Sequence, residues 1–477
     1  MENPQAPHVL MLPFPAVGHI KPMLMLGKLL CQAGLSVTLL NTDQNHNNIL
    51  NPIDQSSFYS RYPGFQFKSL AVGLPPEHLR TGPVVAELLY WITSACSTKF
   101  KEYLMVEENE KGQPEPVTCI IADGIMSFTI DIAEEFHIPV ITFRTYNSTS
   151  TWVYFHLHQL LQNGEIPVQR DEDMDQQITS IPGLETILRR RDLPPFCKLD
   201  STDHLLQFYM GQTSKMKRAS ALILNTFEEL EGPIVSHLHS IFPTVYTIGP
   251  LHGLLQSHIN HNAPPSDSSE TSVRPQDRTC IRWLDSQPSK SVVYVSFGSV
   301  VVLTQDQLLE FWHGLVNSGS PFLWVIRPGL VLAENNVAET PSELTIATNE
   351  RGCIVGWGPQ EEVLAHRAVG GFLSHSGWNS TLESIWAGMP MICWPQIADQ
   401  WINSRCVGEM WRTGLDMKDT CDRSTVEKMV RGLMEDKNEE IRKSTAIYSS
   451  MARNSVAKGG SSYHSMSKLI EDIKSIQ

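Results

Sequence analysis

The chain has 477 residues, enough for two domains that each bury a full core. Hydrophobic residues make up 41% and charged residues 18%, the balance of a soluble globular protein. A formal net charge of −14 argues against nucleic acid or an anionic membrane as partner, because both reward basic surfaces. It leaves room for a small anion held at one local positive site.

The N-terminus, MENPQAPHVLMLPFP, has no basic flank, and prolines break its apolar run, so it is not read as a signal peptide. No apolar run reaches membrane-spanning length. The nine cysteines are scattered without a CxxC pair, and Cys31, Cys119 and Cys393 sit inside apolar runs. That usage points to a reducing, cytoplasmic setting.

His8 to Phe14 reads as a first strand, followed by the turn Pro15 to Gly18 and a helix from His19 to Gln32. Ser36 to Leu40 is a second strand and Phe65 to Leu70 a third. Val117 to Ala122 is a buried strand that ends in Asp123-Gly124; Ser127 to Phe136 is a helix, and Val140 to Phe143 the next strand. Repeated strand–helix units predict a parallel, doubly wound sheet with catalytic groups at the carboxyl ends of its strands. His19 and Asp123 stand at two such ends. An imidazole suits a general base near neutral pH, and a carboxylate beside it would fix its tautomer and favour the imidazolium. The residues alone leave a second reading of His19, a capping or solvent-facing group in a turn.

From Tyr146 to about Asp200 the pattern weakens, as expected for pocket walls and surface loops. The acidic run Asp171 to Asp175 contains a DxD pattern but follows no strand, so it reads as a solvated loop. No carboxylate, His or Cys cluster has metal-site spacing. Ala221 to Phe227 and Val245 to Ile248 close the first sheet. His252 to about Arg278, rich in His, Asn, Pro and Ser, reads as a linker. The expected division is 1–250, a linker at 251–280, a second domain at 281–455 and a final helix at 456–477.

Val292 to Phe297, the turn Gly298-Ser299 and the helix Thr304 to Ser318 begin a second doubly wound sheet, which Phe322 to Ile326 and Cys353 to Gly356 continue. Neither half carries GxGxxG, a P-loop or a GxSxG elbow, so dehydrogenase, P-loop kinase and serine hydrolase readings lose their main support. The densest stretch runs from Trp357 to Gln400. Val369 to Ser374 is a buried strand, His375-Ser376-Gly377 a tight turn, and Trp378 to Ala387 a helix ended by Gly388 and Pro390; Met391 to Trp394 is a further strand. A strand, a glycine turn and a helix together make an anion site, because the first helical amides are unpaired and carry the positive end of the dipole.

These 44 residues resemble the signature box of plant UDP-dependent glycosyltransferases of secondary metabolism. They match it at Trp357, Gln360, His375, Gly377, Trp378, Asn379, Ser380, Glu383, Pro390, Asp399 and Gln400. Gly18-His19-Ile20 is similar to the GHI turn of those enzymes, and Asp123 stands where their His-orienting aspartate does. Lys21, Gly358 and Ser376 depart from the commoner Asn, Ala and Cys; Lys21 is expected to add positive charge near the base.

The resemblance implies two facing Rossmann-like domains with a cleft between them, the glycosyltransferase B arrangement. It implies Trp357 stacked on uracil with Gln360 beside it, Glu383 on the ribose hydroxyls, and His375, Gly377, Asn379, Ser380 and Ser299 around the diphosphate. Asp399 and Gln400 would hold the sugar, joined by Trp378 and Thr145, and the last helix would return to the first domain. His19 would take the acceptor proton in an inverting transfer that needs no metal or other cofactor. Gln400 favours UDP-glucose as donor. Tyr62 to Leu79 resembles a branch that includes terpenoid and iridoid glucosyltransferases, so the expected acceptor is a small hydrophobic metabolite with a hydroxyl or carboxyl group. A phenolic or flavonoid acceptor and another UDP-sugar stay open, as do a non-catalytic nucleotide-sugar-binding protein and a nucleotide-sugar epimerase. A monomer is expected.

Overall fold

Short runs of Val, Ile and Leu bounded by turn residues become parallel strands when helices cover both faces. In the first lobe they are His8–Leu12 (β1), Ser36–Thr42 (β2), Phe65–Leu70 (β3), Val117–Asp123 (β4), Val140–Arg144 (β5), Ala221–Leu224 (β6) and Val245–Thr247 (β7). They lie in the order β3-β2-β1-β4-β5-β6-β7, all parallel. The residues of β1, β5 and β6 are buried throughout, whereas β3 at the sheet edge exposes Gln66, Lys68 and Ser69. The second lobe repeats the plan with Val292–Ser296 (β8), Phe322–Val325 (β9), Gly352–Val355 (β10), Val369–Ser374 (β11), Met391–Cys393 (β12) and Gly414–Asp416 (β13). Its order is β10-β9-β8-β11-β12-β13, again parallel.

The computed structural model describes residues 6–476 except 52, 74–84, 110–115, 169, 259–274, 332–350, 419 and 436–437. The last part of the Tyr62 to Leu79 stretch and most of the expected linker therefore lie outside the described residues. Strand order reverses between β1 and β4 in one sheet and between β8 and β11 in the other. In doubly wound sheets such reversals open a crevice at the carboxyl ends of the strands, where ligands bind.

The stretch expected to begin the linker folds instead. Leu251–His258 is a helix, and Leu251, Leu254 and Leu255 recur at helical spacing and pack into the first-lobe core with Leu24 and Leu26. Three leucines among polar residues carry the stripe, too short a pattern to stand out beside the polar run that follows. The sequence reading also missed β13, whose three residues gain strand geometry only by pairing with β12. At the other end, Glu439–Val456 and Ser461–Ser475 are separate helices, with Gly459 between them at φ +88°. Met466, Leu469 and Ile473 of the last helix join the first-lobe core beside Val9 and Ile121. Lys474 donates to the carbonyl of Ala33 at 2.8 Å.

The acidic and basic runs turn out to be paired with each other. Asp173 is buried and accepts from Arg170 and Gln176, while Asp175 meets Arg189 and Arg191. Asp192, 0% exposed, accepts from Arg189 and from the second lobe's Lys418 at 2.7 Å, with Arg405 at 3.3 Å. The acidic run thus stays largely at the surface, as the solvated-loop reading expects, while Asp192 just beyond the basic run forms a buried joint between the lobes. No helix among the described residues is long and apolar enough to cross a membrane. All nine cysteines are free, seven of them buried.

Removing one partner from a buried ion network leaves the others uncompensated, which costs more than the network contributes as a whole. Asp192→Ala is therefore expected to lower stability to urea by about 3 to 5 kcal/mol. Burial alone would raise the Asp192 pKa, but Lys418 and Arg189 more than offset it and hold the carboxyl below its usual range. A lowered folded pKa gives stability that is present above the unfolded value and lost as pH falls through the folded one. The wild-type advantage over Asp192→Ala should thus shrink in acid; an unchanged difference would count against the joint.

Candidate active site between the lobes

β1 and β4 are neighbours in register, Leu12 opposite Ala122, so their carboxyl ends emerge side by side. His19 stands in the first turn of the helix Val17–Gln32 and Asp123 ends β4. His19 Nδ1 lies 2.7 Å from Asp123 Oδ2, and the other carboxylate oxygen accepts from the Ile125 amide at 2.9 Å. With Nδ1 occupied by a buried carboxylate, Nε2 is the nitrogen left to take a proton. Phe14 and Tyr146 stand edge-on to the imidazole, with ring centroids 5.1 and 5.8 Å away.

Thr145, expected with the sugar-binding groups, stands against His19. Its hydroxyl lies 2.9 Å from His19 Nδ1, because β5 is the next strand beyond β4 and ends beside Asp123.

In the second lobe, β8 leads into Gly298 at φ +70° and half-buried Ser299, and β11 leads into His375, Ser376 at φ +63° and Gly377. The two turns are packed against the same imidazole. A Cβ on either Gly298 or Gly377 would come within 2.5 Å of His375 Nε2. Burial pushes the His375 pKa down to about 4, so at neutral pH it is an uncharged ring at the mouth of the helix Trp378–Ala387. Gln360 donates to Ser380 Oγ at 3.0 Å and to Glu383 Oε2 at 2.6 Å, and accepts from Tyr294 at 3.2 Å. Half-buried Trp357 lines a cavity of about 480 Å³ with Arg327, Pro328, Gly356 and Pro275 to Asp277. Sequence reading missed Arg327, whose guanidinium donates to the carbonyls of Gly298 and Val301 and so holds the first turn in place. Its one sequence signal was a cation immediately after an apolar strand.

After β12, Ala398 at φ +50° turns the chain into Asp399 and Gln400. Asp399 accepts from Asn403 at 2.7 Å, and burial pushes its pKa up to about 6. Gln400 Oε1 accepts from the amides of Gln396 and Ile397, which leaves its amide nitrogen to donate. Asp399 lies within electrostatic reach of His19 across the cleft.

Three residues reach further than the sequence implied. Asn379 donates from its side chain to the carbonyl of Gly18 at 2.8 Å. That carbonyl is available because Pro22, four residues on within the helix, has no N–H to give it. The buried indole N–H of Trp378 donates to the Asn225 carbonyl at 2.8 Å, so its side-chain donor is taken and its backbone amide is what it has left to offer a ligand. Lys21 does not point at the base. It bridges Glu361 and Glu383, each at 2.7 Å, and although burial disfavours its charge, the two carboxylates hold its pKa above the usual lysine range.

Two parallel-sheet lobes, with a carboxylate-held base in one and a glycine-turned helix mouth in the other, define a glycosyltransferase of the B arrangement. The family model described as UDP-glucoronosyl and UDP-glucosyl transferase matches residues 84–451, and the chain belongs to that family. It is a UDP-glycosyltransferase. A 7-deoxyloganetic acid glucosyltransferase of Catharanthus roseus is 48% identical over 100% of this chain and 99% of its own. A myricetin 3-O-rhamnoside 1,2-glucosyltransferase of Crocosmia x crocosmiiflora is 43% identical over 98% and 96%. A Medicago truncatula protein solved as a complex with UDP-glucose superposes with a TM-score of 0.79 at 28% identity, covering 98% of each chain.

Because His375 fills the space beside Gly377, Gly377→Ala should displace the ring and weaken UDP binding at least tenfold by calorimetry, about 1.4 kcal/mol. Unchanged affinity would mean that the turn tolerates a Cβ.

Proposed function

We propose that the protein transfers glucose from UDP-glucose to a hydroxyl of a small hydrophobic plant metabolite, with inversion at the anomeric carbon. The observation that carries this reading is the His19–Asp123 pair at 2.7 Å facing Asp399 across the cleft. Trp357 and its cavity suit a stacked uracil, with Gln360 at its rim. Glu383 suits the ribose hydroxyls: each of its oxygens accepts one hydrogen bond, from Lys21 and from Gln360, and keeps a second lone pair to accept another. The amides of Gly377 to Ser380, with Ser299, Asn379 and neutral His375, suit the diphosphate. Asp399 and Gln400 suit the sugar hydroxyls.

His19 Nε2 takes the proton of the acceptor hydroxyl as its oxygen attacks the anomeric carbon. The bond from that carbon to the diphosphate breaks with its electron pair, and UDP leaves from the opposite face. An α-linked donor therefore gives a β-glucoside. Fixed donors at the helix mouth stabilise the charge growing on UDP, each worth about 3 to 4 kcal/mol where well placed, so the reaction needs no metal in this reading. The free cysteines support a cytoplasmic setting, and we take the monomer as the active form.

The relatives' names support an iridoid or other terpenoid acceptor first, since a 7-deoxyloganetic acid enzyme is 48% identical. The Crocosmia relative, at 43%, keeps a flavonoid glycoside as the second reading. Product mass spectrometry with UDP-glucose and a mixed terpenoid and flavonoid panel tests both; release of UDP without a glucoside product would sink them.

Two further outcomes are expected. His19→Ala should lower kcat by about 10²- to 10⁴-fold while UDP-glucose still binds, and unchanged turnover would remove the residue from the mechanism. Asp399, raised to about 6, becomes protonated below that pH and loses its acceptor oxygens. Affinity for UDP-glucose should therefore fall through pH 6 in the wild type but not in Asp399→Asn, which has no carboxyl to protonate; parallel curves would exclude the role.

A further inference from the structure

Arg144 is the last residue of β5 and is 2% exposed, yet its Nε and Nη2 are buried without a hydrogen-bond partner. No carboxylate among the described residues forms an ion pair with it. Asp123 faces His19 and accepts from the Ile125 amide, and Asp399, within electrostatic reach of Arg144, accepts from Asn403 and makes no hydrogen bond to the guanidinium. The guanidinium is stacked instead on aromatic rings, its Cζ 4.4 Å from the Tyr146 ring centroid and 5.4 Å from that of Tyr154. Gly124, immediately after Asp123, leaves the space for it, since a Cβ there would collide with Arg144 Cδ.

A buried cation without an anion is costly, and cation–π contact offsets only part of that cost. The position is functional in character. Tyr146, which carries the guanidinium on its face, stands edge-on to His19, so a single ring separates cation from base. The next residue, Thr145, touches the base directly. Tyr154 packs edge-on to both Tyr146 and Tyr209, so the guanidinium sits against a cluster of buried aromatic rings.

We propose that Arg144 is a specificity-determining residue that receives a carboxylate carried by the acceptor while the acceptor's hydroxyl faces His19. This rests on the transferase reading above. The planar fork of a guanidinium matches a carboxylate in two parallel hydrogen bonds, and aromatic rings suit a compact, mostly apolar body between the two polar ends. The acceptor is thus an acid with its reacting hydroxyl one small ring system away. A uronate donor would present the same group from the sugar side, and the test separates the two.

The experiment compares 7-deoxyloganetic acid with its methyl ester, both with UDP-glucose, in wild type, Arg144→Gln and Arg144→Lys. Wild type is expected to favour the acid at least tenfold in kcat/KM, chiefly through KM. Arg144→Gln should bring the acid-to-ester ratio close to one, and Arg144→Lys should recover part of it. A wild-type ratio near one, or a ratio unchanged in Arg144→Gln, overturns the proposal. So does a wild-type preference for UDP-glucuronate over UDP-glucose that disappears in Arg144→Gln. Calorimetric titration of acid and ester onto the UDP-loaded wild type reads the same discrimination without turnover. If neither compound is glucosylated, the transferase reading fails for this acceptor class, while tighter binding of the acid still supports Arg144 and equal binding still overturns it.

Discussion

A carboxylate at the end of a buried parallel strand cannot remain there without donors, and the site follows from how Asp123 is satisfied. One oxygen caps the turn that follows β4 and the other holds His19, from the helix that follows the neighbouring strand β1. That pairing sets which ring nitrogen faces the cleft. It also sets which strand supplies the next group, since β5 lies beyond β4 and brings Thr145 and Arg144 to the same edge.

The second lobe solves a different problem, that of gathering unpaired backbone donors around one point. Left-handed residues at Gly298, Ser376 and Ala398 turn three strand ends abruptly; for Ser376 and Ala398 that backbone conformation costs energy and is retained where packing enforces it. The result is two short-range turns around one neutral imidazole and a buried carboxylate at the next helix. Such fixed dipoles need no rearrangement when charge develops on a leaving group, which is where their catalytic value lies.

The lobes are joined by groups that belong to the site itself. Asn379 reaches the carbonyl freed by Pro22, Trp378 reaches Asn225, and Lys21 neutralises Glu383 and Glu361. Asp192 adds a buried joint on the far side, and the last helix returns to the first sheet. The side chains proposed to hold the nucleotide are therefore in part the ones that join the lobes.

Local pattern was enough for every strand but β13, some of the helices and the run from Trp357 to Gln400, because apolar period, capping residues and a contiguous box are properties of neighbours in the chain. His19 and Asp123 were legible as strand-end residues, but the 104 positions between them are closed only by the parallel pairing of β1 with β4. Thr145 on the base, Trp378 bonded to the other lobe, Lys21 on Glu383 instead of beside His19, and the packed helix at 251–258 were all decided by tertiary structure. The reason is common to them. Each depends on which polar group is left unpaired once two lobes are pressed together, and that inventory exists only in the folded chain.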